Sequence, residues 1–153
     1  MRESTASVSP WMAWAHENYS LDEARSWIDW CQQGWEKRTS FEFAIFDAAS
    51  GKFAGGCGLN QLNQVNGYCN LGYWVRQSFQ RRGAATDAVR ALSQFGFAEL
   101  ALGRIEIAVG IGNAGSLGAA TKAGAVEEGV ARNRLRLRER FIDAHVLALV
   151  PVN

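Results

Sequence analysis

Residues 80–86 read Gln80-Arg81-Arg82-Gly83-Ala84-Ala85-Thr86, two cations followed by a run of small side chains. They lie between a strand-like segment ending at Val75 and a helical pattern beginning near Ala85. Small residues let the backbone approach a ligand closely, and the unpaired N–H groups that open a helix face an anion. Arg81 and Arg82 add charge that pairs with phosphate. A plain surface turn uses the same residue types, so the surrounding elements must decide.

A second glycine pattern, Gly110-Ile111-Gly112-Asn113-Ala114-Gly115, matches G-x-G-x-x-G and also stands between a strand and a helix. Glu127 and Glu128 fall near the spacing of a ribose-binding acid. A dinucleotide fold needs repeated strand–helix–strand units after that fingerprint. Here one short helix and two strands complete the chain, which excludes it. Ser116, in the first turn of that helix, suits an ordinary capping role. His16 and His145 are the only imidazoles, and surface or packing roles suit both better than base catalysis.

The elements around these residues follow from periodicity. Ser9-Pro10 offers a helix start, with Trp11, Trp14 and Ala15 on one face. Ser20-Leu21-Asp22-Glu23 is a capping box, and Ala24, Trp27, Ile28, Cys31 and Trp35 form an apolar stripe behind it. The tryptophans suit core packing, with an acceptor-site wall as the alternative. From Phe41 the period becomes two: residues 41–46, 53–59 and 68–75 read as antiparallel strands, with a hairpin at Asn66-Gly67. A helix is expected over residues 85–100, a strand over 104–111, and a helix over 116–123 closed by Gly124. Strands near 126–137 and 145–150 follow. The expectation is one mixed α/β domain spanning residues 1–153, with a mostly antiparallel sheet flanked by helices.

Composition narrows the class. The 153 residues carry a net charge of +1 and no run long enough for a membrane helix, and the start is not secretory. A cytoplasmic protein is expected, with no membrane partner. Three cysteines without C-x-x-C spacing point to apolar packing, and no metal site is expected. Arg132, Arg134, Arg136, Arg138 and Arg140 fit a solvated strand face better than a nucleic-acid surface.

Gly72-Tyr73-Trp74-Val75-Arg76, continuing through residues 80–86 to Asp87-Ala88, closely resembles the acetyl-CoA-binding core of the GNAT N-acetyltransferase superfamily. That family's signature is Q/R-x-x-G-x-G/A at this strand-to-helix step. The resemblance extends through Arg104-Ile105-Glu106-Ile107, Asn113, Ser116 and Lys122-Ala123-Gly124-Ala125. Glu3-Ser4, residues 11–16 and residues 19–23 resemble the opening of its Rim-type branch, which includes acetyltransferases of ribosomal-protein N-termini.

The resemblance implies direct acetyl transfer from acetyl-CoA to an amine on a protein N-terminus or small molecule, without a metal. The backbone of Trp74, Val75 and Arg76 would pair with the pantetheine arm, and the Val75 N–H would stabilise the oxyanion. Backbone N–H groups of residues 81–86 would hold the pyrophosphate. Asn113 would bond the coenzyme arm or cap its helix, Lys122 would approach the adenosine phosphates or stand solvated on its helix, and Ser116 would protonate the leaving thiolate or serve only as a cap. Three departures stand out. The sequence opens near the end of the family's first strand, so either the start is mis-set or an exposed sheet edge pairs with another molecule, which makes a homodimer a candidate; Ala125 replaces an aromatic; and Asn70 stands where many relatives carry a carboxylate. Without that base, an α-amine with pKa near 8 is the favoured acceptor over a lysine near 10.4. A non-catalytic acyl-CoA-binding module is the rival reading.

Overall fold

A computed structural model describes residues 2–151. A 3-10 turn, Arg2–Ser4, runs into the short helix α1 (Thr5–Val8). There follow α2 (Leu21–Glu36), β1 (Phe41–Phe46), β2 (Phe53–Asn63), β3 (Tyr68–Val75), α3 (Ala84–Ala98), β4 (Arg104–Gly110), α4 (Ala114–Ala123), β5 (Val126–Leu137) and β6 (Arg140–Leu149). The six strands lie in the order β1-β2-β3-β4-β6-β5. Every pairing is antiparallel except β3–β4. Among the described residues no strand precedes β1, which forms one edge of the sheet.

Strand alternation gives the sheet a dry face. Leu59, Leu71, Ile105, Ile107 and Leu147 are buried there against Val89 and Leu92 of α3 and Ala120 of α4. At about 25 cal/mol per Å² of apolar surface removed from water, this layer is the main source of stability. Cys57 and Cys69 belong to it, and burial pushes both thiols up to about 12. They behave as the small hydrophobes their spacing implied.

The first two helices differ from expectation. Ser9 closes a helix instead of opening one: the helical turn is Thr5–Val8, and residues 11–19 are turns and irregular backbone. Pro10, unable to donate a backbone hydrogen bond, stands just past that end. The capping box of α2 forms as expected, with Glu23 N donating to Ser20 Oγ at 3.1 Å and Ser20 N to Glu23 Oε2 at 2.8 Å. Its apolar stripe does not enter the core. Trp27 is 48% exposed and Ile28 55%, while Trp27 stacks on Trp30 with ring centres 4.8 Å apart. Only the last turns meet the sheet, where Trp35 packs on Phe41 and Phe43 and its Nε1 donates to the Glu42 carbonyl at 3.0 Å.

The arginine row also differs from one continuous face. A register shift between Ala131 and Leu135, with Asn133 at φ 52°, breaks the alternation. Arg134 turns towards Glu106 (3.8 Å), and Arg136 covers the Phe141 ring. Arg138 reaches the carbonyls of Ser9 and Ala15.

Candidate active site

The parallel pair β3–β4 is registered only over Tyr68↔Arg104, Cys69↔Ile105 and Asn70↔Glu106. Beyond it the strands part. β3 stays paired with β2 as far as Val75↔Gly55, and β4 with β6 as far as Gly110↔Ala144. The gap opens into a cleft of about 700 Å³, floored by Gly72 and Tyr73 of β3 and Ala108 of β4, and roofed by the starts of α3 and α4.

Strand phase decides which backbone groups face it. Arg76 N donates to the Ala54 carbonyl at 2.8 Å, so Ala54/Arg76 is a hydrogen-bonded pair. Antiparallel pairs alternate, which makes Gly55/Val75 and Cys57/Tyr73 non-bonded and Gly56/Trp74 bonded. The N–H groups of Val75 and Tyr73 therefore turn away from β2 into the cleft, opposite no strand. Trp74 and Arg76, expected to share in that pairing, direct their N–H groups to β2 instead. The Trp74 side chain still lines the cleft, edge-on to Trp14. The Arg76 guanidinium is held by Glu3 at 2.8 Å and by the Phe53 carbonyl.

The connection from β3 to α3 forms a cradle. Gln80 Nε2 donates to the Val75 carbonyl (3.1 Å) and Ser7 Oγ (3.3 Å), fixing the loop to the strand end. Gly83 caps α3 at φ +89°, a left-handed conformation natural to glycine, and offers no side-chain cap. The first N–H groups of α3, at Ala84, Ala85 and Thr86, are thus free, and these residues line the cleft with Gly83 and Arg81. Arg82 lies outside the lining, its guanidinium 5.5 Å from the Phe79 ring centre. Thr86 Oγ1 donates to the Ala119 carbonyl at 3.4 Å and ties α3 to α4.

Asn113 caps α4, its Oδ1 accepting from Ser116 N at 3.2 Å, and it lines the cleft. Lys122 lines the far end, its carbonyl accepting from Arg90 at 2.7 Å. Ser116 faces a residue that sequence reasoning had left without a role. Its Oγ lies 2.8 Å from the Tyr73 hydroxyl, which also reaches the Ser116 carbonyl at 2.8 Å. Burial pushes the Tyr73 phenol above its ordinary range, against the hydrogen bond with Ser116, so it stays protonated. Strand alternation alone would have placed Tyr73 with Val75 on the dry face. What stood across from it required the splay. Trp11 and Leu135 complete the opposite mouth. His16 and His145 lie elsewhere, paired with Glu23 (2.8 Å) and Glu127 (2.6 Å).

The residues present suit an extended thioester carrying a pyrophosphate. Two unpaired N–H groups on β3 match an extended arm, and the helix start at Gly83 matches a phosphate anion. The acetyltransferase (GNAT) domain family matches residues 2–126. YdaF of Bacillus subtilis (strain 168), which bears the name of a ribosomal N-acetyltransferase, is 33% identical over 130 residues, covering 84% of this chain and 69% of YdaF. A Vibrio cholerae structure named for a ribosomal-protein-serine acetyltransferase superposes with a TM-score of 0.84 at 28% identity, over 95% of this chain and 81% of that one. The self-immunity acetyltransferase MccE, in complex with acetyl-CoA and AMP, shares the fold with a TM-score of 0.85 at 22% identity, over 97% and 81% of the two chains. The chain belongs to the GNAT acetyltransferase family, in its Rim-type branch, and is an acetyl-CoA-dependent N-acetyltransferase.

Proposed function

We propose that this enzyme acetylates the N-terminal α-amine of a protein or peptide by direct transfer in a ternary complex. The observation that carries the reading is the parting of β3 from β4 beneath the uncapped start of α3. Acetyl-CoA supplies the activated acetyl group when bound. Free N–H groups at the start of α3, with Arg81, hold its pyrophosphate, and Lys122 approaches the adenosine phosphates. The N–H groups of Val75 and Tyr73 bind and orient the thioester arm, and Val75 donates to the carbonyl oxygen as negative charge develops. The free amide of Asn113 adds a donor along the arm. Ser116 gives a proton to the leaving sulfur. Holding both reactants in line supplies roughly 7–11 kcal/mol.

The acceptor assignment rests on amine chemistry and on the names of YdaF and the Vibrio cholerae relative. At pH 7 an α-amine with pKa near 8 is about one-tenth neutral, against less than a thousandth for lysine. A small-molecule acceptor is the second reading, favoured by the similarity to MccE. The enzyme acts in the cytoplasm under either reading. Thiol release from acetyl-CoA, measured with peptide N-termini, polyamines and aminoglycosides, separates the two. Faster turnover of polyamines or aminoglycosides than of any peptide overturns the proposal.

A further inference from the structure

Glu42 of β1 lies on the sheet face opposite the core, in a row across three strands: Glu42↔Gly58 and Gly58↔Gly72. Neither glycine offers a side chain. A Cβ on Gly58 would occupy the space of the Glu42 carboxylate, so the carboxylate lies down over Gly58 only because that residue is glycine. Above Gly72 the space is open, the nearest atom to a Cβ there being Asn60 Nδ2 at 4.0 Å. Gly72 also floors the cleft. Opposed residues of an antiparallel bonded pair stand about 5.5 Å apart, so the carboxylate sits one strand spacing from the cleft.

Protein groups satisfy it only in part, and its second oxygen stays open to solvent. Oε1 accepts one hydrogen bond, from Asn60 Nδ2 at 3.3 Å, and Asn60 in turn accepts from Asn70 at 2.9 Å. Among the described residues Oε2 has no partner, and no cation lies within ion-pair distance. Cys31 of α2 and Cys57 of β2 are the titratable groups beside it, and both are neutral thiols pushed up by burial. A half-buried carboxylate with one weak hydrogen bond costs free energy unless a cation reaches it. Burial raises its pKa, which makes it the better base.

We infer that Glu42 receives the ammonium group of the acceptor over Gly72 and takes its proton, directly or through one water. This rests on the acetyltransferase reading of the cleft. The balance is complete without another reactant. One proton passes from R–NH3⁺ to Glu42 and on to solvent. The freed amine then forms the C–N bond as the C–S bond breaks. The second nitrogen proton, released as the amide forms, returns to the Ser116 oxygen through water and replaces the proton that Ser116 gave the leaving thiolate.

The test uses Glu42→Gln, which keeps the acceptor for Asn60, and Gly58→Ala, which displaces the carboxylate while leaving it in place chemically. Both should bind CoA as the wild type does, and both should lose about a hundredfold or more in kcat/KM for the best peptide amine. The acidic limb of the wild-type pH–rate profile should vanish in Glu42→Gln. Binding of n-propylamine to CoA-loaded protein, followed by calorimetry, gives a readout independent of turnover. It should be lost in both variants. Rates within threefold of wild type, or unchanged propylamine binding, overturn the role of Glu42. If wild-type protein binds propylamine through Glu42 and acetylates small amines but no peptide N-terminus, the role of Glu42 stands and the proposed acceptor fails.

Discussion

The Tyr73 hydroxyl stands 2.8 Å from both the hydroxyl and the carbonyl oxygen of Ser116, joining β3 to α4 across the cleft. Tyr73 has one proton, and a carbonyl only accepts. With the phenol donating to the carbonyl, Ser116 Oγ–H donates to the phenol oxygen. The serine proton is therefore held in place until a thiolate competes for it. Removing the phenol oxygen in Tyr73→Phe should cost about 1 kcal/mol of stability, a fall in Tm of roughly 2–4 °C. It should also lower kcat roughly tenfold while the Kd for CoA holds within twofold. Ser116→Ala should show the same split between kcat and Kd. Equal losses in both constants would mean that the pair only shapes the pocket.

Gly83 sets the geometry at the start of α3 through its left-handed φ of +89°. A Cβ there has space, since the nearest atom is Asp87 Oδ2 at 3.7 Å, so its penalty is conformational. Strain of about 1–3 kcal/mol, or escape from that conformation, turns the first N–H groups of α3 away from the ligand. Gly83→Val should raise the Kd for CoA at least tenfold by calorimetry, with a native circular dichroism spectrum.

Arg81 lines the cleft and Arg82 packs on Phe79. Arg81→Ala should weaken CoA by about 1 kcal/mol, roughly fivefold in Kd, and should flatten the salt dependence. Arg82→Ala should leave Kd nearly unchanged. Titrations at two ionic strengths distinguish the arginines.

Two carboxylates respond to pH in opposite senses. Glu3, hydrogen-bonded by Arg76 and Ser78, is held down at about 2. Its folded pKa lies below its unfolded one, so its stabilisation is present above the ordinary carboxylate range and is lost as pH falls towards 2. Melts of Glu3→Gln should lack that part of the acid decline. Glu42 is raised by burial, so its charge opposes folding at neutral pH and ceases to do so in acid. Glu42→Gln should therefore melt at or above the wild-type temperature at pH 7, even where its activity is lost.

Much of the framework was legible in sequence because local rules govern it. The period change at Phe41, the Asn66-Gly67 turn and the Ser20–Glu23 box each specify a local conformation, and each is present. The loop-to-helix step at residues 80–86 was legible for the same reason. Other features depend on registers that no local pattern reports. Glu42 reads as a polar break in an apolar strand until Gly58 is set opposite it. The outward cant of Trp74 and Arg76 depends on the phase of one bond, Arg76 N to Ala54 O. Ser9-Pro10 misled because the same dipeptide suits a helix start and the residues just after a helix end. The exposed Trp27 and Ile28 show that an amphipathic stripe predicts a helix more securely than a partner for it.

A sheet that parts in its interior leaves backbone donors that a continuous sheet would have consumed. Whatever occupies the gap between Val75 and Ala108 acts as rungs of the ladder. Folding and ligation then share one free energy: an occupant present at a hundred times its Kd adds about 2.7 kcal/mol against unfolding. Amide hydrogen exchange in β3 and β4 should slow accordingly. An acyl donor bound in the gap would thereby make the folded enzyme stiffer and longer-lived than the empty one.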